Sequence, residues 1–110
     1  MEIKESVQSG ATVLACTGRL DMVSAPDVRA AVQRSVAAGR ARIVVDLAGV
    51  TFIDSSGLGM LVSGLKTARQ ASGDLRIAAA GQQVRTVLDL TNLSRILRPY
   101  ATVEEAMAGW

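Results

Sequence analysis

The sequence predicts a small α/β layer structure, and three observations carry that reading. Two apolar runs close together at the start, residues 2–7 and 11–17, read as a hairpin. Residues 43–47 are nearly continuously apolar, as an interior parallel strand is. Leu58, Leu61, Val62, Leu65 and Ala68 then recur at helical spacing, and Leu75, Ile77 and Ala79 follow as a further strand. Strand, helix and strand within about 35 residues make a βαβ unit, whose crossover needs a dozen residues or more.

Each element has its own local signals. Glu2-Ile3-Lys4-Glu5-Ser6-Val7 alternates loosely and predicts a half-exposed edge strand, and Ser9-Gly10 marks the turn that follows. The second strand is expected to break at Gly18-Arg19-Leu20-Asp21. Ser24 is expected as the N-cap of a first helix, with Pro26 in its first turn and Asp27 three residues after the serine. Val28, Ala31, Val32 and Val36 form the buried stripe of this helix, and Gly39 ends it. The third strand begins at Arg42, with a tail through Val50, and leads to the turn Asp54-Ser55-Ser56-Gly57. In the second helix Ser63, Lys66, Thr67 and Gln70 lie opposite the apolar stripe, and Ser72-Gly73 stops it. Val84, Val87 and Leu88 mark a third helix, Ile96-Leu97 a short strand, and Arg98-Pro99 its close. Thr102-Val103-Glu104-Glu105 is a capping box opening a last helix, with Val103, Met107 and Trp110 on one side. Without repeat, low-complexity tract or linker, residues 1–110 read as a single domain.

Composition narrows the function. At 110 residues the chain can bury one core but not two. Its residues are 49% hydrophobic and 20% charged, a globular balance, and with 3% aromatics the core must be aliphatic. The net charge of +2 comes from scattered positive residues with almost no aromatic platform for bases, which disfavours nucleic-acid binding. No apolar run approaches the ~20 residues that span a bilayer, and no signal-peptide arrangement opens the chain. The single cysteine, Cys16, lies in a strand-like run and reads as a buried small hydrophobe in a reducing compartment, so a cytoplasmic location is expected. The chain has no histidine, so neither the usual zinc ligand set nor a Ser-His-Asp triad can be assembled. A lysine base would have to serve Ser55 or Ser56, and the only lysines are Lys4 in the first strand and Lys66 well down the second helix. A protein that is not an enzyme and uses no cofactor or metal is the expectation.

The most informative stretch is Thr51-Phe52-Ile53-Asp54-Ser55-Ser56-Gly57-Leu58-Gly59, where a strand meets a helix start. The first turn of a helix offers unpaired N–H groups and partial positive charge, and therefore favours a phosphate. A serine here can be a cap, a nucleophile, a phosphate cradle or a phosphate acceptor; Ser55 or Ser56 could each be the N-cap. Gly57 and Gly59 would permit a tight turn and close helix–sheet approach.

This stretch, together with Val45-Asp46-Leu47, resembles the signature of STAS domains, specifically the bacterial anti-sigma factor antagonists. The resemblance extends over essentially the whole chain. Gly18-Arg19-Leu20-Asp21 is similar to the family's Gly-x-Leu-Asp corner, Ser24-Ala25 to the small pair opening its first helix, and residues 84–93 to its third-helix segment. The implied fold is a small mixed sheet, an N-terminal hairpin plus parallel strands, packed against about four helices. The implied function is a switch rather than a catalyst. Such antagonists bind an anti-sigma factor with a histidine-kinase-like ATP-binding fold and release its sigma factor. That partner, also a serine kinase, phosphorylates the first serine after the aspartate, here Ser55, and so abolishes binding; a PP2C-type serine phosphatase restores it. ATP and magnesium would belong to the partner.

By the same resemblance Asp21, Asp54, Ser56 and Gly57 are candidate partner-binding residues. Asp54 either holds the loop through backbone N–H bonds or orients the acceptor hydroxyl, and Asp21 is either a turn residue or a partner contact. Two alternatives stand beside the antagonist. One is a STAS scaffold or accessory subunit, in a signalling assembly or a lipid-transport complex. The other is a small nucleotide-binding domain, suggested by Gly57-Leu58-Gly59. That fingerprint would need a third glycine where Val62 stands, and the phosphate-loop version would need Gly-Lys-Ser or Gly-Lys-Thr.

Overall fold

The computed structural model describes residues 1–110. Its elements are β1 (Glu2–Gln8), β2 (Ala11–Leu20), α1 (Ala25–Ala37), β3 (Arg42–Ile53), α2 (Ser55–Gln70), β4 (Asp74–Ala78), α3 (Gln82–Leu90), a 3-10 turn (Leu93–Arg95), β5 (Pro99–Tyr100) and α4 (Val103–Met107). The strands form one sheet in chain order, with β1 antiparallel to β2 and every later pairing parallel. Parallel crossovers are right-handed almost without exception. A sheet that adds each strand on the same side therefore collects its connecting helices on one face.

The two faces bury different sets of residues. Leu14, Ile43, Val45, Leu75 and Ile77 point towards the connecting helices and join Val28, Val32, Leu61 and Leu65 in the main core. Their neighbours Val13, Val44 and Ala78 point the other way and meet Ala106 of α4, with Tyr100, Val103, Met107 and Trp110 packed around them. Both sides of β3 are thus covered, which explains its unbroken apolar run. Trp110 packs back on the domain, under the Arg76 guanidinium at 4.3 Å.

The structure corrects several local expectations. β2 does not break at Gly18; it continues to Leu20 and absorbs register shifts between Ala15 and Thr17 and between Gly18 and Arg19. Gly18 has φ +115°, a conformation disfavoured for residues with a Cβ, so its glycine marks a bend within the strand rather than an end. β4 stops at Ala78, one residue short of Ala79, whose φ is +57°. Ile96-Leu97 is not a strand: Leu97 is fully buried as part of the main core, and the pairing falls instead on Pro99–Tyr100. A proline is tolerated there because β5 is the sheet edge. Of the expected capping box at Thr102 only one half forms: the Thr102 hydroxyl accepts the Glu105 N–H at 3.1 Å, with no return bond from the Glu105 carboxylate to the Thr102 N–H.

Cys16 is 2% exposed within the main core. Burial, followed by the negative charge of Asp46, pushes its thiol from 9.0 up to about 11. A raised thiol pKa means the unfolded chain ionises first, so this group's contribution to stability is complete below 9.0 and is lost as pH climbs towards 11. Native protein at pH 8 should therefore react with a disulfide reagent only as fast as it opens, with denaturant accelerating labelling. Fast labelling of fully folded protein would contradict this placement.

Candidate functional site

β3 is the longest strand and outruns one of its neighbours. It pairs with β2 as far as Ile53 opposite Leu20, but with β4 only as far as Asp46 opposite Ala78. Its last residues therefore lack a strand on the β4 side, and α3 supplies a substitute. The Ile53 N–H donates to Gln83 Oε1 at 2.8 Å, and Gln83 Nε2 donates to the Ile53 carbonyl at 3.0 Å. One side-chain amide thus occupies both backbone groups of the residue just before Asp54. Sequence reasoning missed Gln83, because a glutamine in a helix's first turn carries no pattern that reveals such a partner.

Asp54 is the N-cap of α2. Its backbone is extended, its carboxylate accepts the Gly57 N–H at 2.9 Å, and its carbonyl accepts the Leu58 N–H at 2.9 Å. This settles the capping question against both serines: the helix begins at Ser55, and Ser55 and Ser56 occupy its first two positions with their side chains exposed. A cap of this kind stabilises a helix by ~1 kcal/mol.

The first turn of α2 is pressed against the end of β2. The Asp54 N–H donates to the Leu20 carbonyl at 3.3 Å, and a Cβ on Gly57 would lie 2.2 Å from that same oxygen. Gly57 is helical with no positive φ, so close approach alone accounts for it, not a tight turn. Gly59 meets nothing within 4 Å of where a Cβ would sit, so neither expected role applies to it.

Beyond Leu20 the chain folds into a turn held by Asp21. Its Oδ1 accepts the N–H groups of Val23 at 3.0 Å and Ser24 at 3.2 Å, and Arg19 Nε lies 3.8 Å from Oδ2. The Ser24 N–H bond holds the Asp21 carboxyl below its ordinary value, partly opposed by desolvation and helped by Val23, the Ser24 hydroxyl and the Arg19 charge. Ser24 sits before α1 but makes no side-chain cap bond. Its buried hydroxyl instead donates to the Arg19 carbonyl at 2.6 Å and accepts the Asp21 N–H at 3.0 Å. Two polar residues thus spend their bonds inside the turn, and Met22 and Val23 are left 71% and 81% exposed.

Asp54, Ser55, Ser56 and Gly57 therefore share one turn of helix, and Asp21 opens the loop whose preceding carbonyl touches that turn. Between them lies a shallow pocket of about 410 Å³, with Met22, Pro26 and Arg29 on one wall and Ser55, Ser56 and Gly59 on the other. Arg29, unremarked in the sequence, places a cation in the same pocket as the serines. The arrangement offers an accessible hydroxyl, a helix N-terminus, one guanidinium and an exposed apolar pair.

The family model for the STAS domain matches residues 2–106, and the chain belongs to that family. Anti-sigma-F factor antagonist RsfB of Mycobacterium tuberculosis is 29% identical over 101 residues, covering 92% of this chain and 82% of that protein. A Thermotoga maritima protein named as a candidate anti-sigma factor antagonist is 39% identical over 69 residues, and the match spans 63% of this chain but only 61% of that protein. Among known structures, an anti-sigma factor antagonist from Mycobacterium paratuberculosis superposes with TM-score 0.85 at 28% identity, covering 96% of this chain and 90% of that one. The same fold occurs in the Bacillus cell fate determinant SpoIIAA in its phosphorylated form, with TM-score 0.73 at 22% identity over 96% of each chain. The mixed five-stranded sheet with four helices is the STAS fold. No helix is long and apolar enough to cross a membrane.

Replacing Gln83 with alanine leaves the Ile53 N–H and carbonyl without their partner, a loss of about 1 kcal/mol when water can partly substitute. Amide exchange at Ile53 should accelerate in Gln83→Ala while exchange in β1 stays as it was. Unchanged exchange at Ile53 would show that the side-chain amide does not hold the strand end.

Proposed function

We propose that this protein is an anti-sigma factor antagonist that works by partner switching. In this reading the unmodified form docks on an anti-sigma factor with a histidine-kinase-like ATP-binding fold and frees the sigma factor it holds. That partner is also the serine kinase; it phosphorylates Ser55, and a PP2C-type phosphatase resets the switch. Family membership and the antagonist relatives support the general role. The observation that carries the finer reading is that Ser55 is an exposed first residue of a helix whose cap is already supplied by Asp54.

The chemistry suits a charge switch. Phosphorylation adds about −1.5 to −2 charges at neutral pH. Asp54 next door opposes them, but the helix N-terminus offsets ~0.3–2 kcal/mol of that cost, and Arg29 in the same pocket adds attraction. Because the Ser55 side chain plays no part in capping, modifying it removes none of the bonds that start the helix. Across a docked interface the balance reverses. A partner surface shaped around a neutral hydroxyl and the exposed Met22 and Val23 would have to desolvate a dianion, and losing ~3 kcal/mol weakens binding about a hundredfold. Asp21, Asp54, Ser56 and Gly57 contribute to docking mainly by fixing the shape of this surface.

The protein should accept phosphate on Ser55 when mixed with ATP and its cognate anti-sigma kinase, as mapped by mass spectrometry. Ser55→Ala should bind that kinase like the unmodified protein, and Ser55→Asp should bind much more weakly. Equal affinities of the two variants would remove the switch and leave a STAS scaffold or accessory subunit as the better reading.

A further inference from the structure

At the amino ends of the parallel strands, the length of β3 away from Ser55, a second pocket gathers arginines from separate parts of the chain. Arg69 comes from the last turn of α2, Arg76 from β4, Arg95 from the 3-10 turn, and Arg98 from the approach to β5. The chain has ten arginines, its twelve basic residues less Lys4 and Lys66, so four of the ten line a single cavity of about 220 Å³. The topology opens this space. β5 pairs only with Ile77 and Ala78, so the first half of β4's outer edge, residues 74–76, faces the pocket without a strand partner.

Asp74 is the only carboxylate lining the pocket, and it is already shared. Its two oxygens accept from Arg69 Nε at 3.2 Å and Arg76 Nε at 3.4 Å. Arg76 is further fixed by donating from Nη1 to the Ala106 carbonyl at 2.7 Å and the Ala108 carbonyl at 3.2 Å, and by Trp110 beneath its guanidinium. Arg95 and Arg98 form no ion pair; Arg98 lies over the Tyr100 ring, 5.4 Å from its centroid. Four arginines and a single carboxylate therefore line the pocket, a concave space next to unpaired strand edge, and two of the four, Arg95 and Arg98, form no ion pair.

We propose that this pocket binds a phosphate monoester dianion, with Arg95 and Arg98 as its principal ligands and Arg69 supplementing them. Arginine forks match phosphate oxygens in paired, charge-assisted hydrogen bonds, and a dianion answers the local charge excess better than a carboxylate does. The volume is below the roughly 300–1,000 Å³ of ordinary drug-sized sites, which favours a phosphate on a small body over a dinucleotide. Arg76 and Tyr100 form the fixed wall. This site is independent of the Ser55 switch and stands whether or not the antagonist reading holds.

The test is an amide NMR titration of the full chain with inorganic phosphate and with AMP, against sodium chloride at matched ionic strength. Saturable shifts are expected at Arg69, residues 74–76, Arg95 and Arg98, with a dissociation constant on the order of 1 mM that rises with added salt. The double variant Arg95→Gln/Arg98→Gln, at exposed positions, should weaken binding by at least about tenfold. Asp74→Asn should strengthen it, because it deletes the competing charge while its side-chain carbonyl can still accept the Leu75 N–H, now at 3.0 Å from the carboxylate. Tighter binding of AMP than of phosphate would identify a nucleotide as the source, and equal binding the phosphate group alone; both support the site. Shifts that never saturate, that chloride reproduces, or that persist unchanged in the double variant would overturn it.

Discussion

The carbonyl of Leu20 fixes the geometry on which the Asp54–Gly57 end of the molecule depends. It closes the end of β2, accepts the Asp54 N–H, and stands where any side chain on Gly57 would have to go. One oxygen therefore sets how closely the first turn of α2 approaches the sheet and, through the chain that follows it, where the Asp21 turn lies. Glycine is required at position 57 because of that packing, not because of a backbone angle. From this contact follows the pocket between Met22, Pro26 and Arg29 on one side and Ser55, Ser56 and Gly59 on the other.

A division of labour among polar groups follows from the same geometry. A helix start needs an acceptor for its free N–H groups, and a short serine often provides it. Here Asp54 does so, while Asp21 and Ser24 satisfy the neighbouring turn. The hydroxyls of Ser55 and Ser56 are thereby spared structural duty and left at the surface. Gln83 completes the support from behind by occupying the backbone of Ile53. A site built in this way can change its charge without surrendering the bonds that hold it, because the groups that would carry the charge and the groups that hold the turn are different ones.

The sequence made the layered fold, the βαβ unit and the apolar stripe of α2 readable, since these rest on periodicity, which local composition reveals. It also made the Asp54–Gly59 junction readable, through a run of residue types that few other environments favour. Where reading failed, a contact made only in the folded chain outweighed the expected local signal. Gly18 looked like a strand end because glycine usually is one, yet pairing with β3 carries β2 on to Leu20. Ser24 looked like a cap, but the Arg19 carbonyl lay within its reach. Ile96-Leu97 looked like a strand because apolar pairs often are; in the folded chain Leu97 fills the core and the pairing moves to Pro99–Tyr100. Arg29, Gln83 and the gathering of Arg69, Arg76, Arg95 and Arg98 leave no trace in any window of sequence, because only the fold brings them together.

In the proposed switch, a phosphate on Ser55 would change a surface and not a fold. The most direct measurement is a comparison of amide NMR spectra of the protein before and after stoichiometric phosphorylation of Ser55. Shifts are expected only in the first turn of α2, the 21–29 segment and their immediate neighbours, with β1, β4 and α4 unmoved. Widespread shifts through the sheet, or loss of dispersion, would contradict it and point to a conformational rearrangement instead.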